Sequence, residues 1–250
     1  MANKTGTYAA ENSHRQVVAL AEYVEWRRKL RRKSIVFSTP LIEDQTTRQK
    51  LEDFLKRTLD IAGASVGLVL LFPLLAAIAV AIKLTSPGPV FFRQQRIGLN
   101  GTLFTILKFR TMHMHMCDTS GVLQTVTDDP RVTRIGRFLR KSNFDELPQL
   151  INVLIGEMSL VGPRPHVPRM LAAGVPYEEF DRRYMDRHVV RPGITGLAQV
   201  NGCRGETNTE LSARMRLEYD LIYIQARSIA VDITVLYQTI IREFFRGNGY

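Results

Sequence analysis

The chain has 250 residues and a formal net charge of +10, long enough for one domain or two around a sizeable core. That excess of cation points to an anionic partner: phosphate esters, an acidic membrane surface or nucleic acid. Cys117 and Cys203 are the two cysteines, without a CxxC pair, which excludes a disulfide framework and fits a reducing compartment.

Residues 1 to 49 are polar, with one helical pattern inside them. From His14 to Lys33 the spacing of Val17, Leu20, Ala21, Val24 and Arg28 is near 3.6, and the pattern ends in WRRKLRRK. Trp among Arg and Lys suits a helix lying on anionic lipid, and equally a solvated charged helix or arm. The first apolar run follows this polar segment, so no cleavable signal peptide is expected and the bulk should be cytoplasmic. Ser38-Thr39-Pro40 reads as a linker, and the domains divide as a basic extension (1–50), an apolar membrane segment (51–84) and a remainder expected to be cytosolic (85–250).

Leu51 to Lys56 starts a helix that leads into Ile61 to Ile82, IAGASVGLVLLFPLLAAIAVAI, which holds no charge. At ~1.5 Å per residue such a helix just crosses a hydrocarbon core of ~30 Å. Pro73 sits at its centre, where it kinks or breaks a helix. Lys56 and Arg57 precede the run and Lys83 follows it, without the asymmetry of a spanning helix. A hairpin that turns at Pro73 and leaves by the face it entered, and a kinked single span, both fit; the bland alternative is a buried helix. Gly63 and Gly67 form a GxxxG pair that would allow close packing.

Thr85-Ser-Pro-Gly-Pro89 stops the helix. Val90 to Phe92 and Leu103 to Leu107, separated by Asn100-Gly101, predict a β-hairpin. Its returning strand delivers Lys108 and Arg110 to one side if it persists that far. His113, His115 and Cys117 alternate in a loop-like stretch, but lack the ligand set of a zinc site. After Asp129-Pro130 a basic helix is expected over residues 131 to 141, with Arg134, Arg137, Arg140 and Lys141 along it. Pro148 places the next helix start at or just before Leu147, with Asp145 and Glu146 at its N-terminus and Gly156 at its end. Gly162-Pro163-Arg164-Pro165 is a rigid turn projecting one Arg. Tyr177 to Asp186 looks helical, Arg191 to Gly196 is a Gly-rich loop, and helices are expected over Thr209 to Ala226 and Ile229 to Phe245. Tyr219, Tyr223 and Tyr237 lie at the edges of apolar faces, as at a membrane interface or a core boundary.

The helix dipole and Arg140 should hold Asp145 ionised, and an ionised carboxylate can attack phosphorus or bind Mg²⁺. An isolated Asp-Glu pair is more often a helix cap. Here Lys108, Arg110, Arg140, Arg164 and Arg191 all sit beside turns or element ends, where they can grip phosphate. Together with the apolar run they suggest a phosphate-handling site at a membrane surface.

About four fifths of the chain, from Lys56 onward, resembles the bacterial sugar transferases known as monotopic phosphoglycosyl transferases. The matching stretches are KRTLD (56–60), Pro73, KFRTM (108–112), FLRKSNFDELPQLINVLIGEMSLVGPRP (138–165) and VRPGITGLAQVNG (190–202). It looks most like the short members that start exopolysaccharide repeat units. The resemblance implies an α+β, mostly helical fold with a re-entrant helix-break-helix, a small β-hairpin and interfacial amphipathic helices, at the cytoplasmic face of the bacterial inner membrane. It implies transfer of a sugar 1-phosphate from a UDP-sugar, galactose or glucose by family habit, to polyprenyl (undecaprenyl) phosphate with release of UMP. Asp145 would be the nucleophile and form a phosphosugar intermediate. Glu146 would assist as base and, with Asp145, organise Mg²⁺; Arg140 would contact phosphate. Pro163, Arg164 and Pro165 are associated with the nucleotide. Lys108, Arg110, Arg191, Thr195 and Gln199 complete the expected substrate-binding set, and a homodimer is left open. Family members usually have Ser before the proline at the break, where this chain has Phe72. A membrane-bound scaffold without catalysis, or a nucleic-acid binder, would share the charge but have no need of Asp145.

Overall fold

The computed structural model describes residues 42–114 and 129–246. The helical pattern at 14–33, the linker at 38–40, His115 and Cys117 lie outside these residues. The chain divides into two compact units, Met1–Leu51 and Glu52–Tyr250. The described part of the first is the opening stretch of a helix.

That helix, α1 (Ile42–Thr85), runs for 44 residues and continues on both sides of Pro73 without interruption, where a break was expected. From Gln49 to Thr85 it is long and apolar enough to cross a membrane. One face docks on the rest of the second unit. Before Pro73, Ala64, Leu68 and Leu71 pack with Phe104, Ile106, Leu150, Val153 and Met158. Beyond it, Ile78 and Ile82 pack with Phe109 and Leu139. The GxxxG pair serves this docking: a Cβ on Gly63 would stand 2.6 Å from the Leu160 side chain, and one on Gly67 3.2 Å from Leu150. The opposite face leaves Val66, Val69, Leu70, Phe72, Val80 and Leu84 exposed.

Polar fastenings hold the start of the apolar stretch. Asp60, 2% exposed, accepts from Ser159 Oγ and Leu160 N, both at 2.9 Å. Lys56 pairs with Asp232 at 2.6 Å, and the Tyr223 hydroxyl donates to the same carboxylate at 2.8 Å. Arg57 donates to Val153 O and Leu154 O, carbonyls of the last turn of a helix, the first of which also accepts from Gly156 N.

The predicted hairpin forms as β1 (Phe91–Ile97) and β2 (Leu103–Phe109), antiparallel with Phe91 opposite Phe109 and Ile97 opposite Leu103. Asn100 and Gly101 take the left-handed conformations, φ 53° and 76°, that the Asn-Gly pair was read for. α2 (Arg134–Lys141) starts three residues later than expected, because Thr133 caps it by accepting from Gly136 N. A left-handed Asn143 leads into a 3₁₀ turn, Phe144–Glu146, and α3 (Gln149–Ile155) begins only after Pro148. Asp145 and Glu146 thus stand on the turn ahead of the helix, not on its first turn. Gly156, at φ 95°, ends α3 as read from sequence.

β3 (Ser159–Val161) pairs in parallel with β6 (Gly193–Thr195). Between them lie β4 (Leu171–Ala172) and β5 (Val175–Pro176), an antiparallel pair, then the single turn α4 (Tyr177–Phe180) and a 3₁₀ stretch, Arg182–His188. The helix expected over 177 to 186 is divided because Asp181 is extended, its carboxylate accepting from Arg183 N. α5 (Leu197–Val200), α6 (Glu210–Ala226) and α7 (Ile229–Arg246) complete the described chain, with Thr209 and Ser212 forming a reciprocal cap on α6. Tyr219 and Tyr223 are buried, whereas Tyr237 is exposed. The described residues are mostly helical, with small sheets and one long apolar helix among them.

Candidate active site

Asp145 and Glu146 are delivered side by side by the 3₁₀ turn, and their surroundings divide the work between them. Glu146 takes Lys108 Nζ on Oε1 at 2.7 Å. It also takes both arms of Arg164, Nη2 on Oε1 at 2.6 Å and Nη1 on Oε2 at 3.0 Å. Burial alone would raise this carboxyl; the charges and hydrogen bonds of Arg164 and Lys108 outweigh it and hold Glu146 well below the ordinary range. Asp145 has no hydrogen bond or ion pair among the described residues, although its side chain is largely buried. Burial pushes it up to about 6 against the pull of Lys108, and neighbouring Glu146 adds to the rise while Arg140 and Arg164 oppose it. The helix dipole expected to help hold Asp145 ionised is not in place, because α3 begins too far along to offer its N-terminus, and desolvation outweighs the cations. At pH 7 a carboxyl near 6 is still roughly nine-tenths ionised.

Lys108 and Arg110 part company, because β2 ends at Phe109. Lys108 turns to Glu146. Arg110 is 2% exposed and binds the loop that follows α1, donating to Pro87 O and Ser86 O, each at 2.7 Å, and to Ser86 Oγ at 2.8 Å. Arg140 stands on the last turn of α2 with Nε on Thr111 Oγ1 at 2.9 Å, near enough to Asp145 to favour its charge. The turn Pro163-Arg164-Pro165 projects Arg164 into the site, as read.

The remaining expected residues lie elsewhere. Arg191 donates from Nε to Gly156 O at 2.9 Å, at the end of α3 away from Asp145. Thr195 shares a 2.7 Å hydrogen bond with Thr239 of α7, and Gln199 donates to Ile194 O at 2.9 Å. These three bind the β6 region together and make no contact with Glu146. Pro73 lies on α1, remote in sequence and role from the carboxylates.

Arg96 was missed. It sits beside Arg164 and Glu146, and burial, reinforced by Arg164 and eased by Glu146, lowers it to about 10. The signal was present: the Asn-Gly register pairs Phe92 with Lys108 and Arg96 with Phe104, so alternation puts Arg96 and Lys108 on one face. Arg187 and Asp220, a buried pair behind the Arg164 turn, carry no local signal.

Among the described residues no three His, Cys, Asp or Glu side chains converge as a metal cluster. Mg²⁺ asks for less, one or two carboxylates with substrate phosphate oxygens supplying the rest. Asp145 fits that demand. Glu146, with its two oxygens on two cations, fits it only by releasing one of them. The arrangement as a whole is one unengaged carboxylate facing Lys108, Arg140 and Arg164, suited to hold and attack a phosphorus bearing negative charge.

Residues 51–246 match the bacterial sugar transferase family. An exopolysaccharide production protein of Rhizobium leguminosarum bv. phaseoli is 50% identical over 196 residues, covering 78% of this chain and 98% of the relative. An undecaprenyl-phosphate glucose phosphotransferase of Komagataeibacter xylinus is 50% identical over 195 residues, 78% of this chain and 37% of that protein. A UDP-glucose:undecaprenyl-phosphate glucose-1-phosphate transferase of Escherichia coli K12 is 47% identical over 196 residues, 78% and 41% respectively. The chain thus spans nearly all of the first relative and about two fifths of the other two.

Proposed function

This chain belongs to the bacterial sugar transferase family, and on that premise we propose that it moves a sugar 1-phosphate from a UDP-sugar to undecaprenyl phosphate, releasing UMP. The observation that carries the reading is the unengaged Asp145 carboxylate beside the cations paired to Glu146. Asp145 Oδ forms a bond to the β-phosphorus as the bond from that phosphorus to the bridging oxygen breaks, and UMP leaves with the bridging oxygen. A phosphate oxygen of the polyprenyl phosphate then attacks the same phosphorus and returns the Asp145 carboxylate. Lys108, Arg140 and Arg164 balance the charge of the transferred group at both steps. Glu146, ionised and held on both oxygens, acts in this reading as the anchor for Lys108 and Arg164, and is too weak a base to take a proton near neutrality. Asp145 would hold Mg²⁺ if it binds here, and the ion would supply further charge neutralisation. The sugar is glucose in this reading, since several relatives are named for glucose transfer, although one from Aeromonas hydrophila is named for N-acetylgalactosamine.

The membrane part of the proposal is that α1 re-enters the cytoplasmic leaflet of the inner membrane and does not span it. Support comes from its docking: Ala64 and Ile82, on either side of Pro73, are both fully buried in cores of one compact unit. Pro73 lies between them, in a helix that continues through it.

Two experiments test these statements. Asp145→Asn should abolish UMP release from UDP-glucose with undecaprenyl phosphate while the protein remains in the membrane fraction; an active variant defeats the nucleophile role and leaves a binding scaffold. Single cysteines introduced at Glu52 and Pro87 should both react with an impermeant thiol reagent from the cytoplasmic side. Reaction from opposite sides would establish a span.

A further inference from the structure

The turn that carries Arg164 is held by its own backbone. Four consecutive carbonyls each accept a hydrogen bond from another part of the chain. Pro163 O accepts from Gly193 N and His166 O from Ile97 N, each at 2.9 Å. Arg164 O accepts from Arg187 Nη2 at 2.7 Å, and Pro165 O from Arg96 Nη1 at 3.1 Å. Two of the four donors are therefore guanidinium groups. Arg187 is 2% exposed and is matched by Asp220, equally buried, through Nη2 at 2.7 Å and Nε at 3.1 Å. Arg96 has a second arm on Gln94 Oε1, and its cation stands against the repulsion of Arg164 itself.

Burying one cation and half-burying a second is costly, and the neutral amides at Pro163 and His166 show that such carbonyls can be satisfied without it. A long arginine side chain also loses rotamer entropy when held in one geometry. With its backbone fixed at the preceding, own and two following carbonyls, Arg164 meets Glu146 with only side-chain torsions left to set. We propose that Arg96 and Arg187, the latter oriented by Asp220, are positioning residues that fix Arg164 against Glu146 and so set the cation array facing Asp145. This inference rests on the proposed sugar-phosphate transfer, in which that array binds the transferred group.

The test uses the full chain in detergent, with Arg96→Lys and Arg187→Lys, which keep the charge but lose the planar fork. Each variant should lower kcat/KM for UMP release about ten- to hundredfold. The loss should fall in the same parameter, kcat or KM, that Arg164→Ala moves. Combined with Arg164→Ala, neither should lower activity further, since the residue they position is gone. Losses that multiply with that of Arg164→Ala, or no loss, overturn the inference. A readout independent of turnover is the side-chain NMR signal of Arg164 in ¹⁵N-arginine-labelled protein, assigned by its absence from Arg164→Ala. It should shift and broaden in both lysine variants, and an unchanged signal overturns the clamp. If Arg187→Lys does not fold, Arg96→Lys carries the test alone. Wild-type protein that releases no UMP from any UDP-sugar would defeat the proposed function, while the NMR signal still judges the clamp.

Discussion

Lys108 and Arg110 are two residues apart and of one charge, yet the structure gives them different work. Lys108 faces the carboxylate site, whereas Arg110 closes the loop after α1 with three hydrogen bonds and is almost wholly buried. Replacing Arg110 by Ala leaves the carbonyls of Ser86 and Pro87 without that donor and opens a cavity, a loss of about 2–4 kcal/mol. Thermal unfolding of Arg110→Ala should therefore show a lowered midpoint, while the KM for UDP-sugar of the remaining folded enzyme stays within about twofold of wild type. A large rise in KM with an unchanged midpoint would return Arg110 to the substrate-binding set.

The elements are held to the site through close approaches that leave no room for a side chain. α2 hangs from the end of β2: Thr133 N donates to Thr111 O at 2.9 Å, and a Cβ on Gly136 would lie 2.0 Å from that same carbonyl oxygen. The Thr111 hydroxyl in turn receives Arg140, whose charge favours the ionised form of Asp145. Gly136→Ala must push α2 away from Thr111 and carry Arg140 with it. A destabilisation of about 2–3 kcal/mol is expected, with a fall in kcat/KM of at least about tenfold. Stability comes from denaturant unfolding and activity from UMP release on the same preparation.

For the molecule as a whole, two buried histidines set a dependence on acid. Burial, with Arg187 nearby, lowers His188 to about 4, and His166, packed on Tyr177 and Tyr184, lies well below its ordinary value for the same first reason. In the unfolded chain both take up a proton near pH 6.5. The unfolded state thus binds more protons below that pH, and stability falls as pH drops from about 6.5 to about 4. His188 alone accounts for a loss on the order of 2–3 kcal/mol across that window. Asp145, raised to about 6 in the folded chain, takes up its proton before the unfolded chain does and offsets part of this loss; His188→Gln should therefore make the unfolding midpoint fall less toward pH 4 than in the wild type. A slope unchanged in the variant would assign the acid sensitivity to other groups.

What could be read along the chain was what depends on near neighbours. The Asn-Gly hairpin, the Gly156 helix end, the helix over Thr209 to Ala226, the apolar run and the Asp145-Glu146 pair are each fixed by backbone preference or periodicity within a few residues. So were the motifs that carry the family resemblance. Tertiary structure decided which charges meet. Glu146 chooses Lys108 and Arg164, 38 and 18 residues away, and this leaves Asp145 unengaged. Arg191, Thr195 and Gln199 look alike in motif but turn to carbonyls and a hydroxyl of the core. Arg96, Arg187 and Asp220 reach the Arg164 turn from separate elements. The pKa of Asp145 has the same origin: local charge argues for an ionised group, and only the packed fold supplies the desolvation that lifts it to about 6.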